Sequence, residues 1–358
     1  MKKKMGRARR TFWILFVTLF VCSILYWVIS GQSVFNNLYS STNLNNQTAS
    51  VSKAFPVVEQ VPDYVVMTFA GDVMFDRGVK GSVKKNFQGD YSQLFDNING
   101  EKNDESIFNK DDISFVNLEG PVSDAGHNVG SIYSFRMDPI VISVLKSLGI
   151  DIVSFANNHV GDYSSVAFAD TLKRLNEGSM LFTGAGNNYT DAIKPRVIEK
   201  NNIKTCFIGF SDVGPNWIKA TDKNPGILIA QDPNFSKIIS DAKTGCDVLI
   251  VSFHWGDEYQ KHNPRQEKLA HEAIDSGADI IVGAHPHVAQ DIEIYKDKPI
   301  MYSLGNFMFD QYFSKDTLQG LVVQMKVYKD GHTSDIRQYT SQQNKFFQIE
   351  SITEKTEI

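Results

Sequence analysis

Several short apolar segments of this 358-residue chain end in side chains that can hold a metal ion. Imidazole nitrogens combined with carboxylate oxygens are the ligand mixture that suits Zn²⁺, Mn²⁺ or Fe. These strand-end groups therefore predict a metal site. They are Asp72 in FAGDVMFDRG, Asn117 and Glu119 in FVNLEG, Asn158 and His159 in FANNHVGD, His254 in SFHWGDE, and His285 and His287 in GAHPHV.

The spacing within this set supports the prediction. One residue separates His285 from His287, so both imidazoles of an extended segment project to the same side. Glu119 has two oxygens and one negative charge, which suits it to bridge two cations. Taken alone, Asp72 would be explained as a helix cap and His254 as a structural hydrogen-bonding group. Their joint occurrence at successive strand ends favours the metal site.

The elements that must position these groups alternate between strand patterns and helix patterns. Such alternation predicts an α/β fold, with largely parallel sheets covered by helices. In open α/β sheets, ligands bind beyond the carboxyl ends of the strands. The strand patterns are YVVMTFAG, DISFVNLE, DIVSFANNH, KTCFIGFS, DVLIVSFHWG, DIIVGAHPH and PIMYSLGNF, and the helix patterns are PIVISVLKSLG, SSVAFADTLKRLNE, DPNFSKIISDAK and RQEKLAHEAIDSG.

The N-terminus has the pattern of a membrane anchor. Residues 1–10 carry six positive charges, and residues 11–30 (TFWILFVTLFVCSILYWVIS) carry none of either sign over about the length that crosses a bilayer. The basic flank predicts a single-pass protein of the cell membrane with a cytoplasmic N-terminus. A cleaved signal peptide is the alternative, but its apolar region is usually shorter. Either way, the globular domain predicted at 64–345 is extracytoplasmic.

Polar segments flank this globular domain. Residues 31–63 are rich in Asn, Ser and Thr and are predicted to form a flexible linker. Near the C-terminus, GLVVQMKVYKDGHTSDIRQYT predicts an antiparallel hairpin that turns at residues 329–331. The polar tail at 346–358 is predicted to fray.

The composition excludes several classes of function. A net charge of −5 gives no general attraction to nucleic acid. Three cysteines without CxxC spacing exclude a thiolate zinc site and a disulfide scaffold. Only Cys206 and Cys246 could pair, and their apolar surroundings favour two plain buried hydrophobic residues. Four histidines outside the metal set are expected to be solvated: His127, His262, His271 and His332.

Seven motifs in a fixed order closely resemble the CapA-type poly-γ-glutamate capsule biosynthesis family, part of the wider calcineurin-like metallophosphoesterases. The resemblance covers about residues 65–310, and an N-terminal anchor also matches the capsule-synthesis members. The motifs are GDVMFDRG, NLEGPVSD, FRMDP, ANNHVGDY, HWGDEY, GAHPHVAQ and YSLGNFMFD.

The resemblance implies a metallophosphoesterase-like sandwich of two β-sheets flanked by helices (α-β-β-α layers), with two divalent ions (Mn, Fe or Zn) at the edge of the sheets. Asp72 and His287 would hold the first ion, and Glu119 would bridge it to the second. The second ion would be completed by Asn158, His254 and His285.

The same resemblance implies roles in catalysis and substrate binding. His159 would contact the scissile phosphate and protonate the leaving oxygen. Arg77 and Arg136 are candidates for gripping an anionic substrate, and Asn117 and Asn306 are further candidates for substrate binding. One position departs from the pattern, because related enzymes place an additional histidine ligand where this chain has Met74. The first ion would therefore lack one ligand.

Three functions remain open at this level. The chain could hydrolyse a phosphoester of a cell-surface polymer or of its precursor. It could instead be a non-catalytic metal-binding subunit that supports integral-membrane subunits of a capsule or poly-γ-glutamate synthase. Hydrolysis of amide bonds in the polymer is a third, less favoured possibility. The expected partners are the membrane, such subunits, and an anionic polymer or phosphorylated substrate.

Overall fold

The computed structural model describes residues 62–99, 107–108 and 110–355. The basic segment, the predicted anchor at 11–30 and almost all of the predicted linker lie outside the described residues. Among the described residues, no helix is both long enough and apolar enough to cross a membrane.

The described residues form sixteen strands, most of them in two large sheets. They are β1 Tyr64–Val73, β2 Ile113–Leu118, β3 Ile152–Ser154, β4 Leu181–Thr183, β5 Ala185–Gly186, β6 Arg196–Lys200, β7 Ile203–Ser211, β8 Gly226–Ile227, β9 Val248–His254, β10 Ile280–Ala284, β11 Ile292–Tyr295, β12 Lys298–Met301, β13 Asn306–Met308, β14 Gln319–Tyr328, β15 Thr333–Gln343 and β16 Ile349–Glu354.

Seven α-helices accompany the strands of the described chain, together with two short 3₁₀ helices at Tyr91–Phe95 and Asn216–Ile218. The α-helices are α1 Arg77–Asn86, α2 Asp96–Asn99, α3 Val141–Leu148, α4 Ser164–Glu177, α5 Tyr189–Ala192, α6 Phe235–Lys243 and α7 Pro264–Asp275.

Both large sheets have a parallel centre. The first has the order β16-β15-β14-β1-β2-β3-β4, with β13 also paired to β1. Strands β1 to β4 are mutually parallel, whereas β14, β15 and β16 are added in antiparallel pairs. The second sheet has the order β11-β12-β10-β9-β7-β6, with β7, β9, β10 and β12 parallel. The carboxyl ends of the parallel strands therefore carry the loops that hold the strand-end groups.

The two sheets share an apolar core because side chains alternate between the faces of each strand. Val65, Met67 and Phe69 of β1 belong to the same buried cluster as residues of β7, β9 and β10, and the rings of Phe115 and Phe207 stack 6.1 Å apart across it. The opposite face of the first sheet packs on α1, α3 and α4, and that of the second sheet packs on α6 and α7. The result is the expected order of layers: helices, sheet, sheet, helices.

Most of the predicted elements are confirmed. All seven strand patterns and all four helix patterns form elements of the expected type, and the hairpin is present as β14 and β15. The prediction for the tail is wrong over residues 349–354, because this segment pairs with β15 as the edge strand β16. The segment is polar, but backbone hydrogen bonds to the edge of β15 hold it as a strand.

Two predictions about individual side chains are also wrong. Cys206 and Cys246 form a disulfide with their Cα atoms 5.9 Å apart, since β7 and the loop before β9 lie side by side. His262 and His271 are not simply solvated: each is about one-quarter exposed and stacks on a tyrosine ring. His127 and His332 are exposed, as expected.

Candidate metal centre

The strand-end residues come together because adjacent parallel strands stop at the same edge. In the first sheet, Asp72 of β1 is the register partner of Asn117 on β2 and of Asn306 on β13. In the second sheet, His254 ends β9 opposite Ala284, directly before the His285–Pro286–His287 segment. Since the two sheets pack face to face, their carboxyl ends deliver carboxylates from one sheet and imidazoles from the other.

Two carboxylates and one imidazole form the first part of the centre. Asp72 and Glu119 are fully buried, and His287 is 2% exposed. The Nδ1 atom of His287 lies 3.4 Å from Asp72 Oδ2, and its Nε2 atom lies 3.7 Å from Glu119 Oε1. One ligand atom from each of the three residues lies within 4.8 Å of the others. These are the three residues that sequence reasoning assigned to the first ion and the bridge.

His254, Asn158 and His285 form the second part. The Nε2 atom of His254 lies 2.9 Å from Asn158 Oδ1, and the rings of His254 and His285 are 4.8 Å apart. The backbone N–H of His285 donates to Asp72 Oδ2 at 3.3 Å, which ties this part to the first. All six proposed ligands therefore lie in one continuous cluster.

Two atoms of the cluster are buried without a hydrogen-bond partner: Glu119 Oε1 and His285 Nδ1. Buried polar atoms are nearly always satisfied, so such exceptions need an explanation. Two ligand atoms of a tetrahedral ion, each about 2.1 Å from it, are separated by about 3.4 Å. The 3.7 Å gap between Glu119 Oε1 and His287 Nε2 is close to that value. The residues present thus fit a metal ion.

Burial and mutual repulsion set the charges of the imidazoles. Burial lowers the pKa of His285 to about 3, with a further contribution from His287, and it lowers the pKa of His254 well below its usual value. Burial also opposes protonation of His287, but the charges of Glu119 and Asp72 outweigh it and raise its pKa to about 9. Burial raises the pKa of Glu119 well above its usual value. His254 and His285 are therefore neutral near pH 7, the form that binds metals.

His159 lies beside the cluster and is held by a residue that sequence reasoning did not identify. Its Nδ1 atom donates to Asp162 Oδ2 at 2.7 Å, and Asp162 also accepts from the backbone N–H of Phe135. The ring of Phe135 packs 3.9 Å from that of His159. The free Nε2 atom lies 3.8 Å from Glu119 Oε1. The spacing His159-x-x-Asp162 within ANNHVGD was the available signal.

Asn117 and Asn306 lie behind the ligands. Asn117 Nδ2 donates to Asp72 Oδ1 at 2.8 Å and lies 3.3 Å from Glu119 Oε2. Asn306 Oδ1 lies 2.9 Å from His287 Nδ1, and its Nδ2 donates to the carbonyl of Thr317. Both amides are buried and hydrogen-bond to proposed ligands. Neither is therefore exposed to a substrate in the cleft.

A cleft of about 500 Å³ opens onto His159 and His287. Arg77 lines it, but its guanidinium is paired with Asp310 and lies 4.7 Å from the Phe135 ring centre. Arg136 is not among the lining residues; its guanidinium lies over the ring of Tyr163. Of the two proposed substrate-binding arginines, Arg77 therefore lies at the site, and its charge is already balanced by Asp310.

Met74 is the position at which the resemblance implied a missing ligand. It is fully buried and packs with Phe135 and Phe309 in a small apolar cluster. Its sulfur accepts the backbone N–H of Asp76 at 3.0 Å. The methionine therefore serves as part of the apolar wall beside the cluster.

The sequence between residues 66 and 311 matches the family model described as "Bacterial capsule synthesis protein PGA_cap". The chain belongs to this family. It is 34% identical over 273 residues to "PGA biosynthesis protein CapA" of Bacillus subtilis (strain 168), covering 75% of this chain and 69% of that protein. It is also 34% identical over 280 residues to "Capsule biosynthesis protein CapA" of Bacillus anthracis, covering 75% and 65%.

The PGA_cap match includes every residue of the cluster, from Asp72 to Asn306, and stops before β14. Among solved structures, a 5′-nucleotidase precursor from Thermus thermophilus aligns with a TM-score of 0.41 and 12% identity, over 77% of this chain and 54% of that one. Similarity at this level carries no inference about activity.

Proposed function

We propose that this PGA_cap protein is an extracytoplasmic, membrane-anchored phosphoester hydrolase of capsule or poly-γ-glutamate biosynthesis. Its substrate would be a phosphoester of the surface polymer or of its precursor. The observation that carries the proposal is the buried cluster of carboxylates and imidazoles, with two unpartnered ligand atoms beside a cleft. The other buried side-chain atoms without a partner in the described chain are hydroxyls and one amide, whereas these two are metal-ligand atoms in a single cluster.

The side chains divide into metal ligands and a proton donor. Asp72 and His287 would hold one ion. The other ion would be held by Asn158, His254 and His285, and Glu119 would contribute to both. Ions bound there would supply Lewis-acid activation of a phosphoryl oxygen and of water. His159 would donate a proton from Nε2 to the leaving oxygen, because Asp162 holds its Nδ1 side.

The extracytoplasmic location has two supports. The uncharged segment at 11–30 follows a strongly basic flank. The Cys206–Cys246 disulfide is typical of an oxidising compartment. External protease added to intact protoplasts should therefore digest the domain at 64–345, and complete protection would contradict the proposed topology.

The names of the relatives support a role in polymer synthesis, with synthase subunits in the membrane as the proposed partners. Because Arg77 is compensated by Asp310, an anionic substrate would be bound mainly through the metal ions.

The test is metal content and phosphodiesterase activity of the purified chain. The wild type should retain Mn, Fe or Zn and hydrolyse a chromogenic phosphodiester. Replacing His285 and His287 together by Ala removes ligands of both proposed ions and should abolish both properties. The matched control is the exposed pair His127 and His332, whose replacement by Ala should change neither. A metal-loaded wild type without activity on any phosphoester would contradict the proposal.

A non-catalytic supporting subunit is the second candidate. The burial of Met74 within an apolar cluster and the pairing of Arg77 favour it, since both weaken the site as a hydrolase. The variant His159→Asn separates the two candidates because His159 is not a proposed ligand. If the chain is an enzyme, polymer production in cells should fall with turnover. Normal production by a folded, metal-replete variant would favour the supporting role.

A further inference from the structure

The loop that follows β9 brings another carboxylate to the centre. We infer that Glu258 is a third carboxylate ligand of the centre, beside His285 and His287. This inference deepens the proposed metal centre and depends on it. Glu258 is absent from the ligand set assigned above, although it lies in the motif HWGDEY.

The position of Glu258 is the first support. One of its carboxylate oxygens lies within 4.8 Å of a ligand nitrogen of His285 and of His287, and those nitrogens are equally close to each other. The cluster therefore contains two overlapping groups of three ligands that share His287. One group consists of His287 with the buried carboxylates Asp72 and Glu119. The other consists of His287 with His285 and Glu258.

Backbone hydrogen bonds fix this position. The N–H of Trp255 donates to Ala284 O at 3.1 Å, and the N–H of Tyr259 donates to Pro286 O at 2.8 Å. The segment from Trp255 to Tyr259 therefore runs along the segment that carries both histidines. The ring of Tyr259 also stacks on that of His287, with centres 6.0 Å apart. Glu258 is thus held at the imidazoles by its neighbours on the chain.

The unpartnered Nδ1 atom of His285 is an independent support. The residue is 6% exposed, and no hydrogen-bond partner of this atom lies within the described chain. His285 also has φ of +100°, a conformation that non-glycine residues rarely adopt. Such strain is retained where the surroundings hold a side chain in a functional orientation. A metal ion bound by both Glu258 and His285 would satisfy the free nitrogen.

Charge balance favours a third carboxylate. Two divalent ions carry four positive charges, whereas the buried ligands Asp72 and Glu119 offer two negative charges. The thioether of Met74 adds none. Glu258 lowers the remaining positive charge, and it is exposed in the cleft that also contains Arg77. The carboxylate therefore lies on the side from which a substrate approaches.

The experiment measures metal binding by the full-length chain, without reference to activity. The metal-free protein is titrated with Mn²⁺ and with Zn²⁺ by calorimetry, and bound metal is counted after equilibrium dialysis. Glu258→Gln keeps the size of the side chain and removes its charge. We expect the apparent Kd to rise at least about 10-fold, because loss of a group that only supports a ligand already costs about 10–100-fold. Because Glu258 is exposed, the melting temperature of the metal-free form should not change.

The matched control is Asp257→Asn, which removes the neighbouring exposed charge of the same loop. Asp257 accepts a hydrogen bond from Asn263 and belongs to neither ligand group. Its charge acts on His285 only through space, so its replacement should weaken binding far less than that of Glu258. An unchanged Kd for Glu258→Gln would overturn the inference, as would an equal loss for both variants or a wild type that binds no metal. A metal-binding wild type without phosphodiesterase activity would contradict only the proposed function.

Discussion

Strand β10 has buried ionisable groups near both of its ends, and their surroundings differ in kind. At the amino end, Asp279 is 3% exposed and accepts hydrogen bonds from Lys243, Lys298 and the backbone N–H of Leu249. At the carboxyl end, His285 and the nearby Glu119 each keep a buried atom without a partner.

This difference separates a structural cluster from a functional one. The carboxylate of Asp279 has opposite charges and donors around it, so the folded chain by itself stabilises it. The cluster of Glu119 and His285 concentrates groups that repel or leave one another unsatisfied, which is tolerated where a ligand supplies the missing interactions. Substitutions at the amino ends of these strands should therefore lower the free energy of unfolding. Substitutions at the carboxyl ends should instead reduce metal binding and catalytic rate.

The largest expected effect concerns the disulfide near the amino ends of β7 and β9. Replacing Cys206 and Cys246 together by Ser opens a loop with a sequence separation of 40. Loss of this cross-link should lower the free energy of unfolding by about 4 kcal/mol, since the unfolded chain gains conformational entropy. Urea unfolding with and without reductant measures the effect. Metal content at low temperature should stay at the wild-type level, and its loss would contradict the separation of the two ends.

The ion-paired cluster should give the next largest effect. Asp279→Ala leaves Lys243 and Lys298 without their shared carboxylate and frees the N–H of Leu249. We expect a loss of about 3 kcal/mol in unfolding free energy, at the lower end for a broken buried pair because both lysines are partly exposed. Asp241→Asn, which removes an exposed helical pair with Lys237, is the control and should change stability little. Equal stability of the two variants would refute the structural role.

At the carboxyl end, the dyad of His159 and Asp162 should affect rate more than stability. Asp162→Asn keeps an acceptor for the N–H of Phe135 but no longer fixes the imidazole by its charge. If the chain is a hydrolase, kcat should fall about 10–100-fold, a part of the 10²–10⁴-fold that a general acid contributes. The melting temperature and the metal content should stay close to the wild-type values. An unchanged kcat in this folded, metal-replete variant would contradict the role of Asp162.

The last prediction is a proton balance at His287. In the metal-free chain its pKa of about 9 exceeds the unfolded value of about 6.5, so the folded state binds this proton more tightly. The resulting stabilisation is complete below pH 6.5 and is lost as the pH rises through 9.

Metal must displace the same proton, so metal affinity should rise across this window, with release of about one proton per chain near pH 7.5. Calorimetry in buffers of different ionisation enthalpy counts the protons. His287→Ala should remove the dependence of metal-free stability on pH in this range. A dependence that persists in this variant would contradict the assignment.

The residues of the centre could be found from the sequence because each strand ends in a polar group whose type suits a metal. A parallel sheet places those ends together regardless of the distance along the chain, so the edge that carries the site could be predicted without a structure. The pairing of Asp72 with His287 came only from the family resemblance. Glu258 and Asp162 were not singled out because each, taken alone, has the sequence pattern of an ordinary solvated loop carboxylate. Their approach to His285 and His159 depends on backbone hydrogen bonds that no periodicity reveals.

The sequence by itself determined the alternation of strands and helices, the common edge of the parallel strands and the ligand types, because these depend on local periodicity and side-chain chemistry. The tertiary structure alone decided three matters. It paired Cys206 with Cys246, turned a polar tail into the edge strand Ile349–Glu354, and neutralised Arg77 with Asp310. Each depends on which segments the fold places side by side within or along one sheet, and local periodicity does not reveal that.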